Sequence, residues 1–392
     1  MNLQPTERVR LVFLFSDTGG GHRSAAEAII EAIEKEYPNQ VSTAMVDFFR
    51  EYAPRPLDMA PEIYPPLTRL PDVWQFGYRV SDGRRRARLM NEMFWPYIRR
   101  SVQRLLREHP CDLLVSVHPL INNPVLHAMT GQHYVPYATV VTDLVSTHAA
   151  WFDARADLVV VPTGAARQRG LQMGLRPEQL HVIGLPVADR FTQPAKDVAE
   201  LRRRLDWPLD RPVLLLVGGG EGMGPLEQVA QAIHRARLDA ALVIIAGRNQ
   251  ALKARLEAHP WQMPVKVYGF VREMPDFMRA ADVLITKAGP GTICEAFIAG
   301  LPLILYSRLP GQEEGNVRYV VEQGAGVWAP ESEQVVATLQ RWLRNPEQRQ
   351  AAAEASHSLA RPQAARQIAR LLVERAGVHH RAMNPDLDGL HR

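Results

Sequence analysis

The fold of this chain is set at its start by the stretch VRLVFLFSDTGGGHR, residues 9–23. The apolar run Val9–Phe15 leads into three consecutive glycines and then His22, and a helical pattern follows over Ser24–Glu36. Glycine lets the backbone approach a ligand closely, and a helix start offers unpaired N–H groups with partial positive charge. The junction therefore predicts a site for an anion or polar substrate, with His22 as a base. The alternative is an ordinary Gly-rich first turn of an α/β domain.

Length and composition narrow the class of protein. At 392 residues the chain exceeds the roughly 250–300 residues at which one hydrophobic core stops growing, so we expect two domains. No apolar run approaches the ~20 residues that span a bilayer, and Leu11–Phe15 lacks the features of a signal peptide. Cys111 and Cys294 are too few for a disulfide framework or a cysteine-based metal site. We expect a cytoplasmic protein without a metal ion.

Apolar runs of strand length recur along the chain, with helical patterns between most of them. This alternation is typical of parallel sheets flanked by helices, and it occurs in two series. The predicted strands are Val9–Phe15, Val41–Val46, Leu113–Val117, Tyr137–Val141, Leu158–Val161 and His181–Ile183, then Val213–Val217, Leu242–Ala246, Val265–Tyr268, Val283–Ile285, Leu303–Tyr306 and Gly326–Trp328. The predicted fold class is α/β, with two doubly wound Rossmann-like domains facing a central cleft.

A proline-bearing connector, residues 185–211, separates the two series. We predict an N-terminal domain over residues 1–195 and a C-terminal domain over residues 196–376, whose last helix is free to return to the first domain. Residues 377–392 are expected to be a disordered tail. Residues 54–71 carry six prolines and predict a loop insertion in the first domain.

The second series holds two further glycine motifs. Gly218, Gly219 and Gly220 follow its first predicted strand, as the first glycine turn does in the other half. Lys287–Glu295, with the sequence KAGPGTICE, lies between a strand and a helix, and its glycines and helix start suit a diphosphate. A plain helix cap with a solvent-facing lysine is the alternative. No Walker-type motif is present, so an ATPase is not expected.

Polar clusters also follow predicted strands elsewhere. Pro310–Asn316 places carboxylates and amides in one loop, where they could bind the hydroxyls of a hexose or could cap the next helix. In the first half, His118, Asp143 and His148 lie at carboxyl ends of strands. A histidine there is often a turn residue with an internal partner.

The segment from Arg79 to Arg107 is basic and aromatic, with nine arginines against two acidic residues. Arginines such as Arg84, Arg85 and Arg86, together with rings such as Trp95, favour an anionic lipid surface. A solvated helical face is the alternative. Nucleic acid is a third reading, but the chain shows no recognised nucleic-acid motif, and we expect no such partner.

Taken in order, these motifs resemble those of the monogalactosyldiacylglycerol synthases and the related bacterial diacylglycerol glucosyltransferases. Both have the glycosyltransferase-B fold, which also includes the peptidoglycan N-acetylglucosaminyltransferase. The resemblance covers roughly residues 8–375. It rests on Ser16–Arg23, Ser116–Leu120, Val141–Leu144, Trp151-Phe152, Gly184–Val187, Lys287–Glu295 and Pro310–Asn316. Residues 47–107 do not match closely enough to transfer lipid contacts.

The resemblance implies transfer of a hexose from a UDP-sugar to diacylglycerol with inversion, without a metal or other cofactor. His22 matches the family's candidate base, with Asp143 orienting or assisting it, and Gly19, Gly20, Gly21 and His118 fall on the acceptor side. The implied donor contacts are Gly218, Gly219, Gly220, Phe270, Val271, Lys287, Gly289, Gly291, Thr292, Glu295, Gln312, Glu313 and Asn316. Phe270 and Val271 would hold uracil, Glu295 the ribose, and the last three residues the sugar.

A lipid acceptor implies docking on a membrane, and residues 60–107, including Arg84, Arg85, Arg86 and Trp95, are the predicted docking face. We expect a peripheral protein on the inner face of the cell membrane. Galactose is favoured as the sugar, and a UDP-glucose-dependent diacylglycerol glucosyltransferase is the first alternative. A UDP-sugar epimerase or another transferase of the same fold follows, and then a non-catalytic UDP-sugar sensor. The sequence does not decide processivity or oligomeric state.

Overall fold

The computed structural model of the protein describes residues 8–17, 20–60, 62–63, 70–129, 134–193, 197–222 and 224–383. In the helices Pro71–Ser81 and Arg84–Glu108, the side chains of residues 71, 87, 88, 90, 91 and 94 are not described. The chain forms two compact units. The first comprises Met1–Asp189, Pro310–Gln312 and Gln363–Arg392, and the second comprises Arg190–Leu309 and Glu313–Pro362.

The first unit contains a parallel sheet of six strands in the order β2-β1-β3-β4-β5-β6. Its strands are β1 (Val9–Phe15), β2 (Val41–Asp47), β3 (Leu113–Ser116), β4 (Tyr137–Val140), β5 (Leu158–Val161) and β6 (Leu180–Val182). Its first helices are α1 (Gly21–Glu36), α2 (Phe48–Tyr52), α3 (Pro71–Ser81), α4 (Arg84–Glu108), α5 (Pro119–Ala128) and α6 (Gly164–Gln172). Short 3₁₀ turns occur at Leu57–Met59, Ala149–Trp151 and Pro177–Gln179.

The second unit contains a second parallel sheet, ordered β12-β11-β10-β7-β8-β9. Its strands are β7 (Val213–Val217), β8 (Ala241–Ile245), β9 (Val265–Tyr268), β10 (Val283–Lys287), β11 (Leu303–Ser307) and β12 (Gly326–Trp328). The helices that follow α6 are α7 (Asp189–Thr192), α8 (Val198–Leu205), α9 (Leu226–Arg235), α10 (Gln250–Ala258), α11 (Met274–Ala280), α12 (Pro290–Ala299), α13 (Glu314–Glu322), α14 (Ser332–Arg344) and α15 (Pro346–Ser358).

The last helix, α16 (Ala364–Met383), belongs to the first unit and packs on α1 and β1. Both faces of the first sheet are covered, which explains why β1 is apolar almost throughout. Val12 and Leu14 point into the core beneath α2, α4 and α5, whereas Leu11 and Phe13 point toward α1 and α16.

All twelve predicted strands are present, and every end lies within two residues of its predicted position. The division between units falls at Asp189/Arg190 rather than near residue 195, and residues 194–196 lie outside the described part of the chain. Helix α16 continues to Met383, so the predicted disordered tail is helical over residues 377–383. Residues 384–392 lie outside the described residues.

The strand order reverses once in each sheet. In an open parallel sheet, ligands bind beyond the carboxyl ends of the strands where the strand order reverses. In the first sheet this point lies between β1 and β3, which are followed by Gly20–His22 and by His118. In the second sheet it lies between β7 and β10, which are followed by Gly218–Gly220 and by Lys287–Gly291. The predicted glycine motifs, His22, His118 and Lys287 therefore lie at the two switch points, whereas Asp143, Phe270 and the loop after β11 follow other strands.

Candidate functional site

The turn after β1 brings His22 to the start of α1. Gly20 is the N-cap of this helix and has φ of 78°, a left-handed conformation that favours glycine, while Gly21 opens its first turn. Asp17 anchors the turn, because Arg23 donates two hydrogen bonds of 2.7 Å to its carboxylate. Gly19 lies outside the described residues. The glycines thus serve to start the helix immediately at His22.

His22 is half-buried, and its ring is held from two sides. Its Nδ1 lies 2.9 Å from Oγ1 of Thr142, at the end of β4, and its ring centroid lies 4.6 Å from that of His118, after β3. Burial lowers the pKa of His22 to about 4, although the nearby carbonyl of Val117 opposes the shift. The imidazole is therefore neutral at pH 7 and able to accept a proton.

His118 lies at the same switch point but has a structural contact of its own. It is the N-cap of α5, and its Nδ1 accepts a hydrogen bond of 3.4 Å from the backbone N–H of Leu120. Burial, with a further contribution from His22, lowers the pKa of His118 well below its usual value. Its ring is buried between His22 and Phe49, and it forms the wall behind the His22 imidazole.

Asp143 is buried beside this group and is fixed through both carboxylate oxygens. Trp151 donates its Nε1–H to Oδ2 at 2.7 Å, and Gln312, which clusters with the first unit, donates its amide to Oδ1 at 3.2 Å. Thr142, the residue before Asp143, is the one that contacts His22. Asp143 thus positions the segment that holds the candidate base.

In the second unit, Lys287 ends β10 between two glycine turns. A Cβ atom built on Gly219 would lie 3.7 Å from its Cε, and one built on Gly289 would lie 3.4 Å from its Nζ. The Nζ lies 2.5 Å from Oε1 of Glu313. The ammonium group is thus held at the switch point of the second sheet, beside both glycine turns.

Helix α12 begins beside Lys287 without a side-chain cap. Its N-cap is Gly289, and Pro290 occupies the first turn. A Cβ on Gly291 would meet no atom within 4 Å, so open space lies next to the first N–H groups. Thr292 follows, half-buried in that turn. An uncapped helix N-terminus with a neighbouring lysine is suited to an anion such as phosphate.

Glu295 lies one turn further along α12 and is half-buried. Burial raises the pKa of its carboxyl to about 7, and the charge of Arg190 opposes this shift. A carboxyl group with this pKa exists in both forms near neutral pH, and when ionised it accepts hydrogen bonds from hydroxyl groups.

The turn after β7 interlocks with the turn after β8. A Cβ on Gly222 would lie 2.2 Å from the carbonyl oxygen of Ala246, and one on Gly247 would lie 2.4 Å from that of Gly220. Gly218 is also packed tightly, since its Cβ would lie 2.8 Å from Leu226. Close packing therefore requires glycine at these positions. From the sequence alone, such packing glycines could not be distinguished from glycines that contact a ligand.

Phe270 presents an exposed ring in the second unit, 53% accessible, and the Arg248 guanidinium lies 4.5 Å from its centroid. Val271 beside it is half-buried. An exposed aromatic face next to a cation is suited to stacking against a planar base. The Arg248 contact was not anticipated from the sequence, where Arg248 belongs to no motif.

The predicted sugar-contacting residues differ in their structural state. Glu313 is only 3% exposed, and its two oxygens contact Lys287 and the N–H of Leu309. Asn316 is buried, and its Nδ2 donates to the carbonyl of Ala288 at 3.0 Å. Glu313 and Asn316 thus connect the loop after β11 to the loop after β10. The sequence did not predict these contacts, because the two loops are distant along the chain.

Helices α3 and α4 present apolar side chains to solvent at helical spacing. Arg84, Arg85 and Arg86, at the start of α4, are also exposed. The exposed apolar residues are Val73, Phe76 and Val80 on α3, and Leu89, Met93 and Tyr97 on α4. None of the helices that the structure describes combines the length and apolar character needed to span a membrane.

Trp95 is half-buried, unlike the exposed apolar residues of α3 and α4, and its role as a membrane contact stays a prediction. Its ring stacks on His127 at 4.2 Å, and it packs against the core of the first unit. Helical geometry explains the difference, because Trp95 lies on the face of α4 opposite to Met93 and Tyr97. The sequence marked the segment, but not which of its rings face outward.

Within the described residues, histidine, cysteine, aspartate and glutamate side chains form no group of three or more that could hold a metal ion. The groups that could stabilise charge at the second switch point are Lys287 and the N-terminus of α12.

Two family models match the chain. The model of monogalactosyldiacylglycerol (MGDG) synthase matches residues 22–187, and that of the glycosyltransferase family 28 C-terminal domain matches residues 213–370. Each match lies mainly within one of the two units.

Curated relatives match over most of the chain. A probable monogalactosyldiacylglycerol synthase 2 from Oryza sativa subsp. japonica is 38% identical over 344 residues, which cover 85% of this chain and 73% of the relative. The monogalactosyldiacylglycerol synthase of Spinacia oleracea is 37% identical over 351 residues, covering 87% and 67%. Both relatives are named as chloroplastic. The prediction of a cytoplasmic protein on the inner face of a cell membrane is therefore wrong.

Solved structures show the same fold. The crystal structure of MurG from Acinetobacter baumannii matches with a TM-score of 0.59 at 15% identity, covering 93% of this chain and 99% of that one. UDP-GlcNAc 2-epimerase from Neisseria meningitidis, bound to UDP-GlcNAc, matches with a TM-score of 0.62 at 14% identity, covering 94% and 100%. The predicted α/β class with two Rossmann-like domains of the glycosyltransferase-B fold is confirmed.

Proposed function

The chain belongs to the monogalactosyldiacylglycerol synthase family, and we propose that it transfers a galactosyl group from UDP-galactose to diacylglycerol, with inversion at the anomeric carbon. The observation that carries this proposal is the pair of sites at the two switch points. The first site offers His22, a half-buried imidazole that is neutral at pH 7 and can act as a base. The second offers Lys287 beside the uncapped N-terminus of α12. These are the groups that glycosyl transfer from a nucleoside diphosphate requires.

The acceptor needs a base, because the free hydroxyl of diacylglycerol has a pKa far above 7. We propose that the neutral His22 imidazole takes the hydroxyl proton as the oxygen attacks the anomeric carbon of galactose. Thr142 holds Nδ1 of the ring, and Asp143 fixes the segment that carries Thr142. The new bond joins the acceptor oxygen to the sugar carbon, and the bond from that carbon to the UDP oxygen breaks.

The leaving UDP carries developing negative charge. We propose that its diphosphate binds at the N-terminus of α12, near Gly289, Gly291 and Thr292, with Lys287 as the cationic partner. Glu295 lies one turn further on and is suited to ribose hydroxyls, and Phe270 with Arg248 is suited to the uracil ring. Charge stabilisation by these groups underlies our further proposal that the reaction requires no metal ion or other cofactor.

The acceptor lies in a bilayer, from which its acyl chains leave only at about 0.8 kcal/mol per methylene. We propose that α3 and α4 dock the protein on anionic lipid. Their apolar stripes would enter the interface while Arg84, Arg85 and Arg86 pair with headgroups. Nucleic acid is not a proposed partner.

The experiment that tests this function supplies the purified protein with diacylglycerol in anionic liposomes and with UDP-galactose or UDP-glucose, in the presence of EDTA. We expect a β-linked monogalactosyl lipid from UDP-galactose, and its loss in His22→Ala. A glucosyl lipid instead would change the proposed sugar. If the protein instead converts the sugar on UDP into another sugar and makes no lipid product, the proposed activity is wrong and the protein acts as an epimerase.

A further inference from the structure

The ion pair between Lys287 and Glu313 engages both charged groups. The Lys287 Nζ lies 2.5 Å from Oε1 of Glu313, while Oε2 accepts a hydrogen bond of 2.7 Å from the N–H of Leu309. The Glu313 side chain is 4% exposed and that of Lys287 is 20% exposed. The pair is therefore largely removed from water, where an interaction between opposite charges is strong.

The same lysine is the cation of the proposed diphosphate site. Its Cε and Nζ lie against the backbone of Gly219 and Gly289, at the mouth of the uncapped helix α12. A diphosphate placed there brings more than one negative charge to an ammonium group that has three donors. Lys287 must then divide its hydrogen bonds between phosphate and Glu313, or leave Glu313.

We propose that Lys287 and Glu313 form an exchangeable latch, in which the diphosphate draws Lys287 away and the hexose hydroxyls replace Lys287 at Oε1 of Glu313. This inference rests on the proposed function and deepens it. The Glu313 backbone stays fixed at the start of α13, so the freed carboxylate remains in the loop predicted to contact the sugar. Binding of the two halves of the donor is thereby coupled through one ion pair.

The latch distinguishes the donor from the product. UDP breaks the pair and leaves the Glu313 carboxylate buried without its cation, whereas UDP-galactose breaks the pair and supplies hydroxyl donors in its place. After transfer the hexose is gone, so Glu313 recovers Lys287 and weakens the hold on UDP. Glu313 is thus a specificity-determining residue that favours UDP-galactose over UDP and promotes product release.

The test is calorimetric titration of the full-length protein with UDP and with UDP-galactose, in wild type and in Glu313→Gln. We expect Glu313→Gln to bind UDP about 10-fold more tightly than wild type does and UDP-galactose more weakly. Each change in affinity should correspond to about one charged hydrogen bond. The matched control is Glu314→Gln, which removes the neighbouring carboxylate, itself half-buried, and should shift both affinities by the same factor. Thermal denaturation of each variant reports its folding.

The latch is overturned if Glu313→Gln lowers the affinity for UDP, or if it changes the affinities for UDP and UDP-galactose by the same factor. Should Glu313→Gln not fold, Glu313→Asp keeps the buried charge but shortens the side chain, and we expect the same directions with smaller size. A wild-type protein that binds neither ligand overturns the proposed function together with the latch. A wild-type protein that makes galactolipid, with an unchanged affinity ratio in Glu313→Gln, overturns the latch alone.

Discussion

Trp151 donates its Nε1–H to Oδ2 of Asp143 across 2.7 Å, and both side chains are buried in the first unit. Asp143 directly follows Thr142, whose hydroxyl lies 2.9 Å from Nδ1 of His22. The indole therefore fixes a short segment that reaches the candidate base, and the centroid of its own ring lies 5.9 Å from that of His22.

We expect Trp151→Phe to destabilise the protein by about 1.5–3 kcal/mol, because it removes a donor to a buried carboxylate, and to lower kcat as the segment loosens. Urea unfolding and the galactosyl-transfer rate measure the two effects. Trp342→Phe, at a buried tryptophan in the core of the second unit, is the matched control and should leave kcat unchanged. Equal kcat values in the two variants would contradict the positioning role of Asp143.

His22→Ala should reduce kcat by about 10²–10⁴-fold, the range for loss of a general base. The pKa of His22 is lowered to about 4 by burial, so in the wild type kcat/KM should fall only as pH drops through about 4, where the imidazole becomes protonated. A pH–rate profile with and without the variant checks both statements. An acid limb near pH 6.5 that persists in His22→Ala would assign the base elsewhere.

Glu295 should make the affinity for UDP depend on pH. Its pKa is raised to about 7, and its ionised form accepts hydrogen bonds from ribose hydroxyls, so we expect UDP to bind more tightly as pH rises from 6 to 8. Calorimetric titration across this range, with Glu295→Gln as the comparison, measures the effect. A pH dependence that is identical in the variant would rule out Glu295 as its source.

The same carboxyl should also lower stability at high pH. Its pKa is higher in the folded than in the unfolded protein, so its contribution is fully present below about pH 4.5 and is lost as pH rises through about 7. Glu295→Gln should therefore raise Tm relative to wild type at pH 8 more than at pH 5. Thermal denaturation at the two pH values gives the comparison.

The docking surface on α3 and α4 makes a prediction that is separate from catalysis. Replacing Arg84, Arg85 and Arg86 by glutamine should weaken binding to anionic liposomes by about 1 kcal/mol per arginine. Phe76→Ser with Met93→Ser should weaken binding further, because two exposed apolar side chains are lost. Leu209→Ser, at an exposed leucine of the second unit, is the control. Unchanged cosedimentation of the arginine variant would refute this surface.

Substitutions at two glycines, Gly247 and Gly291, distinguish a role in packing from a role in ligand binding. Gly247→Ala places a Cβ 2.4 Å from the carbonyl oxygen of Gly220 at a φ of 61°, so we expect a clear loss of Tm. Gly291→Ala meets no atom within 4 Å, so Tm should stay near that of wild type while UDP binds more weakly. Calorimetry and thermal denaturation of both variants are the measurement. Normal UDP affinity in Gly291→Ala would move the diphosphate away from α12.

Local patterns predicted much of this molecule. The alternation of apolar runs and helical patterns was sufficient for all twelve strands, most clearly for central strands such as β7 and β8, which are buried on both faces and apolar throughout. The glycine motifs were correctly placed at strand ends, and the strand orders then put them at both switch points. The roles of the individual site residues remain predictions.

Contacts between residues that are distant along the chain could not be predicted from the sequence. Lys287 and Glu313 lie 26 positions apart, so their ion pair depends on how β10 and β11 align. Trp95 faces inward because of the rotation of α4, which a basic and aromatic composition does not specify. The pKa of Glu295 likewise depends on burial by distant elements.

Helix α16 has a consequence for the order in which the chain can fold during synthesis. Ile368, Ala369, Leu372 and Ala376 complete the core against Leu11 and Phe13, so β1 leaves the ribosome well before the helix that completes its packing. The first unit therefore stays incomplete while the whole second unit is being made. The part of the apolar sheet face that α16 covers is open to solvent throughout this interval, and chaperones that bind such surfaces have their longest opportunity there.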